Sequence, residues 1–260
     1  MQNYIERIVI VENKSRDYQS KIVLPDNSMV ITIQYGTDVF EIVNERQVPI
    51  PKVSIRRPLT KPKKLIFTPG SCSLVLKMRP GTAGFLRTNT LTFSDCNHSV
   101  FTYLDQPGIQ NLKLPRELDF QKFITDFLNP IFLGKKEDDS VFQAMKIIQK
   151  TKGQVKVKSL SYQVCNSKRN LERRFKANTG LTPKQFISHT RFQHALVLLM
   201  SGLGLSELSF TGGYCDSSHF INECKTFSGF TPEIILPKLC RVYPMDFVAM
   251  PASLHYTNVY

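Results

Sequence analysis

Apolar residues along this 260-residue chain change their spacing once, near residue 115. Before that point they come in short runs rich in Val, Ile, Phe and Tyr, at residues 7–11 (RIVIV), 28–34 (SMVITIQ), 64–68 (KLIFT), 73–77 (SLVLK) and 100–104 (VFTYL). β-Branched and aromatic side chains pack well on a pleated surface, so runs of this length predict strands. Turn formers separate them: Pro25-Asp26-Asn27, residues 49–51, Pro69-Gly70 and Pro80-Gly81. A compact β-sandwich or barrel is the expectation for this half.

Beyond it the period becomes helical. Residues 117–132 and 141–149 place apolar side chains three and four apart, as in Phe120, Phe123, Ile124, Phe127 and then Val141, Met145, Ile148. Residues 135–139 (KKEDD) and 150–154 (KTKGQ) are polar enough to be a seam. The organisation expected is a β-rich domain over 1–134 ending in a helix, a linker and first helix over 135–155, a helical domain over 156–240, and a tail over 241–260.

The helical domain repeats itself. Residues 175–186 (FKANTGLTPKQF) align with residues 224–235 (CKTFSGFTPEII), 49 positions later. Upstream, Leu171 falls on Phe220 and Ser167 on Asp216; past a one-residue difference, Val157, Leu160 and Ser161 fall on Leu205, Leu208 and Ser209. Each copy reads as helix, tight turn, helix. Ser167 and Asp216 are N-caps, because their oxygens can accept a free backbone N–H. Gly180 and Gly229 suit the left-handed residue that ends a helix. Thr182-Pro183 with Gln185, and Thr231-Pro232, open further helices. Between the copies, residues 183–200 would span roughly 25–30 Å as a connector helix.

The outward residues then matter. On the second helix of the first copy, Lys168, Arg169, Glu172 and Arg173 lie together away from Leu171 and Phe175, a concentration suited to phosphates and guanine edges. The equivalent face of the second copy is Ser217, Ser218, Ile221, Asn222 and Lys225. Two such helices on one connector could enter successive major grooves of double-stranded DNA, about 34 Å apart.

Residues 157–175 (VKSLSYQVCNSKRNLERRF), 205–220 (LSELSFTGGYCDSSHF) and 225–232 (KTFSGFTP) resemble the AraC/XylS family of transcription regulators. The resemblance covers about residues 150–238. It implies a seven-helix domain whose DNA-facing positions fall on Lys168, Arg169, Glu172, Arg173, Ser217, Ser218, Ile221 and Asn222. LPDNS at residues 24–28 and MRPGTAGFL at 78–86 are similar to an uncharacterised N-terminal domain of one AraC-like subgroup, itself like a cupin-type sensor barrel. The fold class implied is α+β: a cupin-like barrel or sandwich, then an all-α AraC-type domain with two helix-turn-helix units. The departures from the family pattern are local. Cys165 stands where the first turn has Gly, so either Asn166 is left-handed or the turn is strained. Cys224 replaces a core Phe, which should loosen the second unit. The adjoining Gly212 and Gly213 should add backbone freedom. The first unit is therefore expected to supply most of the binding energy.

Charge agrees with a polyanionic partner. The formal net charge is +13, and residues 151–240 hold 12 Lys and Arg against 5 Asp and Glu. Six cysteines without a C-x-x-C pair read as reduced thiols, the N-terminus lacks a signal-peptide pattern, and no apolar run reaches membrane-spanning length. The expectation is a cytoplasmic protein without a membrane partner. Catalysis finds little support. Among His98, His189, His194, His219 and His255 only one lies in the β-rich half, too few for a multi-histidine metal site. Residues 70–74 (GSCSL) lack the second glycine of a nucleophile elbow, and no phosphate-binding glycine loop occurs. No catalytic residue, metal or cofactor is expected. The sequence thus reads as a regulator that binds DNA, with RNA polymerase, a small-molecule effector and a second copy of the chain as further candidate partners. No residue is assigned to the effector. The rival readings are a small-molecule enzyme tethered by a basic helical domain, or an interaction scaffold.

Overall fold

A computed structural model describes residues 4–82 and 138–241, together with the strands Thr92–Ser94, Phe101–Tyr103, Phe247–Ala249 and Leu254–Asn258. The helix expected over 117–132, His98 and the motif residues beyond 82 lie outside the described residues.

The N-terminal half consists of strands β1 (Ile5–Asn13), β2 (Gln19–Val23), β3 (Val30–Gly36), β4 (Val39–Val43), β5 (Arg46–Pro49), β6 (Val53–Arg56), β7 (Lys63–Phe67), β8 (Ser71–Met78), β9 (Thr92–Ser94) and β10 (Phe101–Tyr103). Three more, β11 (Leu239–Arg241), β12 (Phe247–Ala249) and β13 (Leu254–Asn258), come from the end of the chain. They form two antiparallel sheets, in the orders β13-β1-β8-β3-β6-β10-β9 and β11-β12-β2-β7-β4-β5. The sheets meet where Val9 and Val11 of β1 pack with Val39 of β4 and Phe67 of β7. On the other face of the seven-stranded sheet Ile8, Ile10, Ile31, Ile33, Leu74 and Leu76 are buried as well. Burial on both faces explains why these strands read as unbroken apolar runs rather than alternating ones.

Among the described residues seven α-helices follow: α1 (Asp139–Lys150), α2 (Val157–Gln163), α3 (Lys168–Thr179), α4 (Pro183–Met200), α5 (Leu205–Thr211), α6 (Ser217–Ser228) and α7 (Pro232–Ile235), the last running into a 3-10 turn at Leu236–Lys238. The central helix α4 serves two cores. Its first half gives Phe186 and Ile187 to a cluster with Val141, Ile148, Leu160, Leu171 and Phe175. Its second half gives Phe192, Ala195, Leu196 and Leu199 to a cluster with Leu208, Phe220, Cys224 and Ile235. Thr182 caps α4 through a complete capping box with Gln185, and Pro183 opens it. Among the described residues no helix is long and apolar enough to cross a membrane.

The two halves touch through a buried polar contact. The Asn27 side-chain amide donates to the Thr190 hydroxyl at 2.8 Å and to the Phe186 carbonyl at 3.3 Å, and its oxygen lies 3.2 Å from His189 Nδ1. Leu24, three residues earlier, joins the second helical core. The turn at Pro25-Asp26-Asn27 therefore keys the sandwich onto α4.

Candidate nucleic-acid interface

In the first unit, Leu160 and Ser161 bury α2 while the chain reverses through Cys165 and Asn166, whose N–H groups donate to the carbonyls of Tyr162 and Ser161. Cys165 itself takes the left-handed conformation, with φ of 51°; of the two expected alternatives, the strained turn is the one observed. The Ser167 hydroxyl accepts from the Asn170 N–H and starts α3, which buries Leu171, Phe175 and Thr179 and ends at left-handed Gly180. Lys168, Arg169 and Arg173 are exposed and Glu172 is half-exposed, with Lys168 and Glu172 3.9 Å apart.

A side-chain relay that the spacing did not flag holds Arg173. Asn170 donates to Asn166 at 2.6 Å and accepts from the Arg173 guanidinium at 3.0 Å. The adjacent Arg174 turns the other way and grips Asp138, the N-cap of α1, with bonds of 2.7 and 2.6 Å. Burial pushes the Asp138 carboxyl up, but hydrogen bonds from Arg174, Ser140 and the Val141 N–H outweigh it and hold the carboxyl below its ordinary range. Of two consecutive arginines, one faces solvent and one fixes the helix.

In the second unit, Leu208 and Ser209 bury α5, and left-handed Gly213 makes the turn. Both glycines of this turn sit where a side chain would meet its neighbours. A Cβ on Gly212 would lie 2.8 Å from the Leu208 carbonyl oxygen, and one on Gly213 would lie 2.6 Å from Gln154 Cγ. Asp216 accepts from the His219 N–H at 2.7 Å and caps α6, which ends at left-handed Gly229. Thr231, unlike Thr182, makes no side-chain cap bond. Ser218, Asn222 and Lys225 are exposed, and Ser217 and Ile221 are half-buried. Cys224 is fully buried, packed among Phe220, Phe227 and Phe192, its sulfur 3.7 Å from the Ser228 hydroxyl.

The two faces are carried on one braced body. Arg191 of α4 pairs with Glu223 of α6 at 2.5 Å and stacks 4.8 Å above the Tyr214 ring, whose hydroxyl donates to Glu223 at 2.8 Å. Burial first, and the neighbouring Glu223 carboxylate second, push the Tyr214 phenol well above its usual range, so it stays a donor. Gln154, between α1 and α2, donates to the Thr211 carbonyl at 2.8 Å and so links the first unit to the turn of the second. Among the described residues no cluster of His, Cys, Asp and Glu could hold a metal ion. His189 is buried against Asn27, and the His219 ring stacks edge-on with Tyr214.

Residues 160–236 match the family model of a helix-turn-helix domain. Among solved structures, ToxT from Vibrio cholerae is similar at 12% identity, over 89% of this chain and 98% of that one, with a TM-score of 0.51. ToxT bound to (E)-4-(8-methylnaphthalen-1-yl)but-3-enoic acid gives 11% identity, 89% and 98% coverage and a TM-score of 0.50. The xylose-binding transcription activator xylR shares 30% identity over 39% of this chain and 27% of its own, with a TM-score of 0.35. At such identities the likeness to ToxT is one of fold. No curated protein sequence matches the chain.

Proposed function

We propose that this chain is a DNA-binding transcription regulator of the AraC type, whose helix-turn-helix domain spans residues 160–236, and that it inserts α3 and α6 into successive major grooves. The carrying observation is a pair of capped, outward-facing helices on the shared helix α4. Lys168, Arg169, Glu172 and Arg173 read the first half-site; Ser217, Ser218, Ile221, Asn222 and Lys225 meet the second. Guanidinium groups suit guanine O6 and N7, and the Asn222 amide suits adenine. A gel-shift titration on DNA selected from random sequence tests this. Sequence-preferring binding whose logarithm falls steeply with log salt is expected, because each phosphate neutralised releases counterions. Binding that ignores salt or sequence would return the chain to the enzyme or scaffold readings.

The sandwich is the proposed effector domain, and its occupant an apolar carboxylic acid. Strand register puts Lys21, Lys63 and Glu41 on the face of the smaller sheet that carries Leu65 and Phe67. Arg56 lies on the facing side of the larger sheet, in line with Val30 and two positions from Ser54. Lys63 and Glu41 are 2.6 Å apart, and burial together with the neighbouring Arg56 lowers Lys21 to about 7. A carboxylate placed there would restore the lysine charge. ToxT, of the same fold, is bound to such an acid. The naphthalenyl butenoic acid itself is the probe: it should raise the Tm of the full chain, and Lys21→Met should remove most of that rise.

A further inference from the structure

The strongest uncommitted feature is a cleft of about 320 Å³ between the sandwich and the helical body, which shares no lining residue with Lys21, Arg56 or Lys63. We infer that this cleft is a separate small-molecule site, which takes a compact organic anion with a flat apolar body, such as an aromatic carboxylate or sulfonate. The inference goes beyond the proposed DNA and effector readings and does not depend on either.

One wall is the end of β8 with the Pro80 turn and Asn27; the other is α1, with Thr190 and Gln193 of α4. Clefts of roughly this size at domain boundaries are where small ligands bind preferentially. Its apolar surface is Phe142, Met145 and Pro80, an aromatic ring, a thioether and a pyrrolidine that together suit the face of an aromatic group. The Pro80-Gly81 turn is tight against this surface, since a Cβ on Gly81 would lie 2.7 Å from Met145 Cε.

The charges around that surface favour an anion. Lys146 Nζ sits 4.3 Å from the centre of the Phe142 ring, and Arg79 stands across from it on the sandwich side. Both are exposed, and neither has a carboxylate partner among the described residues. The acidic groups nearby are engaged: Asp26 lies 3.1 Å and Glu6 4.0 Å from Lys77. An anion stacked on Phe142 would therefore find two cations, one from each half of the molecule, without displacing an ion pair among the described residues.

Occupation would bear on the junction itself. Asn27 and Thr190, which line the cleft, also make the buried hydrogen bond that keys the sandwich onto α4. Helix α1 carries Phe142, Met145 and Lys146, and its N-cap Asp138 holds Arg174 of the recognition helix α3. A ligand bridging Arg79 and Lys146 favours the docked arrangement over any other, and so shifts whatever DNA affinity belongs to it.

The test is a fluorescence titration of the full chain with 1-anilinonaphthalene-8-sulfonate, beside its uncharged counterpart N-phenyl-1-naphthylamine. One saturable site selective for the sulfonate is expected, weakened about tenfold in Arg79→Glu/Lys146→Glu, as charge reversal at two exposed cations requires. Both substitutions are exposed and lie off the recognition faces, so gel-shift affinity without ligand reports separately on the DNA reading, and an unchanged Tm reports that the variant folds. The inference is overturned if the wild-type chain shows no saturable site, if the neutral compound binds as tightly, or if the double variant binds the sulfonate within threefold of wild type.

Discussion

Cys165 carries a Cβ through the left-handed turn of the first unit, where the carbonyl crowding that Gly avoids is felt in full. Cys165→Gly should therefore stabilise the chain by about 1 kcal/mol, less the entropy Gly loses on folding. Chemical denaturation measures it, and a variant less stable than wild type would show the turn to be relaxed. The second turn already has Gly213 in the equivalent place, at φ of 76°. The sequence marked Cys165 as anomalous but could not choose between it and Asn166, because both precede the same N-cap; only the bonds to Tyr162 and Ser161 settle which residue turns. The Asn166-Asn170-Arg173 relay was illegible for another reason: Asn166 lies in the turn before the helix, and spacing alone does not tell a bonded set of polar side chains from a merely solvated one. Because that relay presents one long cation and the second face offers only Asn222 as a bidentate reader, Arg173→Ala should cost more binding than Asn222→Ala, about 1–3 kcal/mol at matched salt. Equal losses in a competition gel shift would contradict the ranking.

Helices were legible and several strands were not, for a physical reason at the scale of the element. The α4 bounds follow from Thr182, Pro183 and Gln185, local signals that act within one turn. Strands β2, β4 and β6 are four or five residues long, and two of them turn Lys21 and Glu41 toward the other sheet, so apolar patterning misses them. The contact between α4 and the Asn27 turn is likewise absent from any periodicity, yet it has a measurable signature. Burial lowers His189 to about 4, against Asp26, which works in the opposite direction. The folded chain thus holds His189 neutral while the unfolded chain protonates it near 6.5. This stability is complete above pH 6.5 and is lost as pH falls toward 4, by up to about 3 kcal/mol. Thermal melts from pH 7.5 to 4.5 should show the decline, and His189→Gln should flatten it in that window. Parallel curves for the two proteins would assign the acid sensitivity to the carboxylates.

At the scale of the whole molecule the end of the chain returns to its beginning. After α7 the tail forms β11 and β12, which extend the smaller sheet beside β2, and then β13, which pairs with β1 from Val9–Asn258 to Asn13–Leu254. The tail leaves the helical body and adds a strand to one edge of each sheet, so among the described residues this strap joins the two halves alongside the Asn27 contact, Leu24 in the second helical core and the Pro80-Gly81 turn against Met145. Its few helix signals and many aromatics left its destination open in the sequence, because strand pairing across more than 200 residues has no local mark. An edge strand without a neighbour presents free N–H and C=O groups and is prone to pair with other chains. A chain ending at Arg241 should then exchange amide hydrogens faster in β1 and β2 than the full chain does, with β3 and β8 less affected, and should associate at concentrations where the full chain does not. Helices α3 and α6 keep their own caps and cores, so on the proposed reading DNA affinity per folded molecule should change through the arrangement of the halves rather than through loss of those faces. Exchange rates in β1 and β2 equal to those of the full chain would mean that the tail lies on the sheets without holding them.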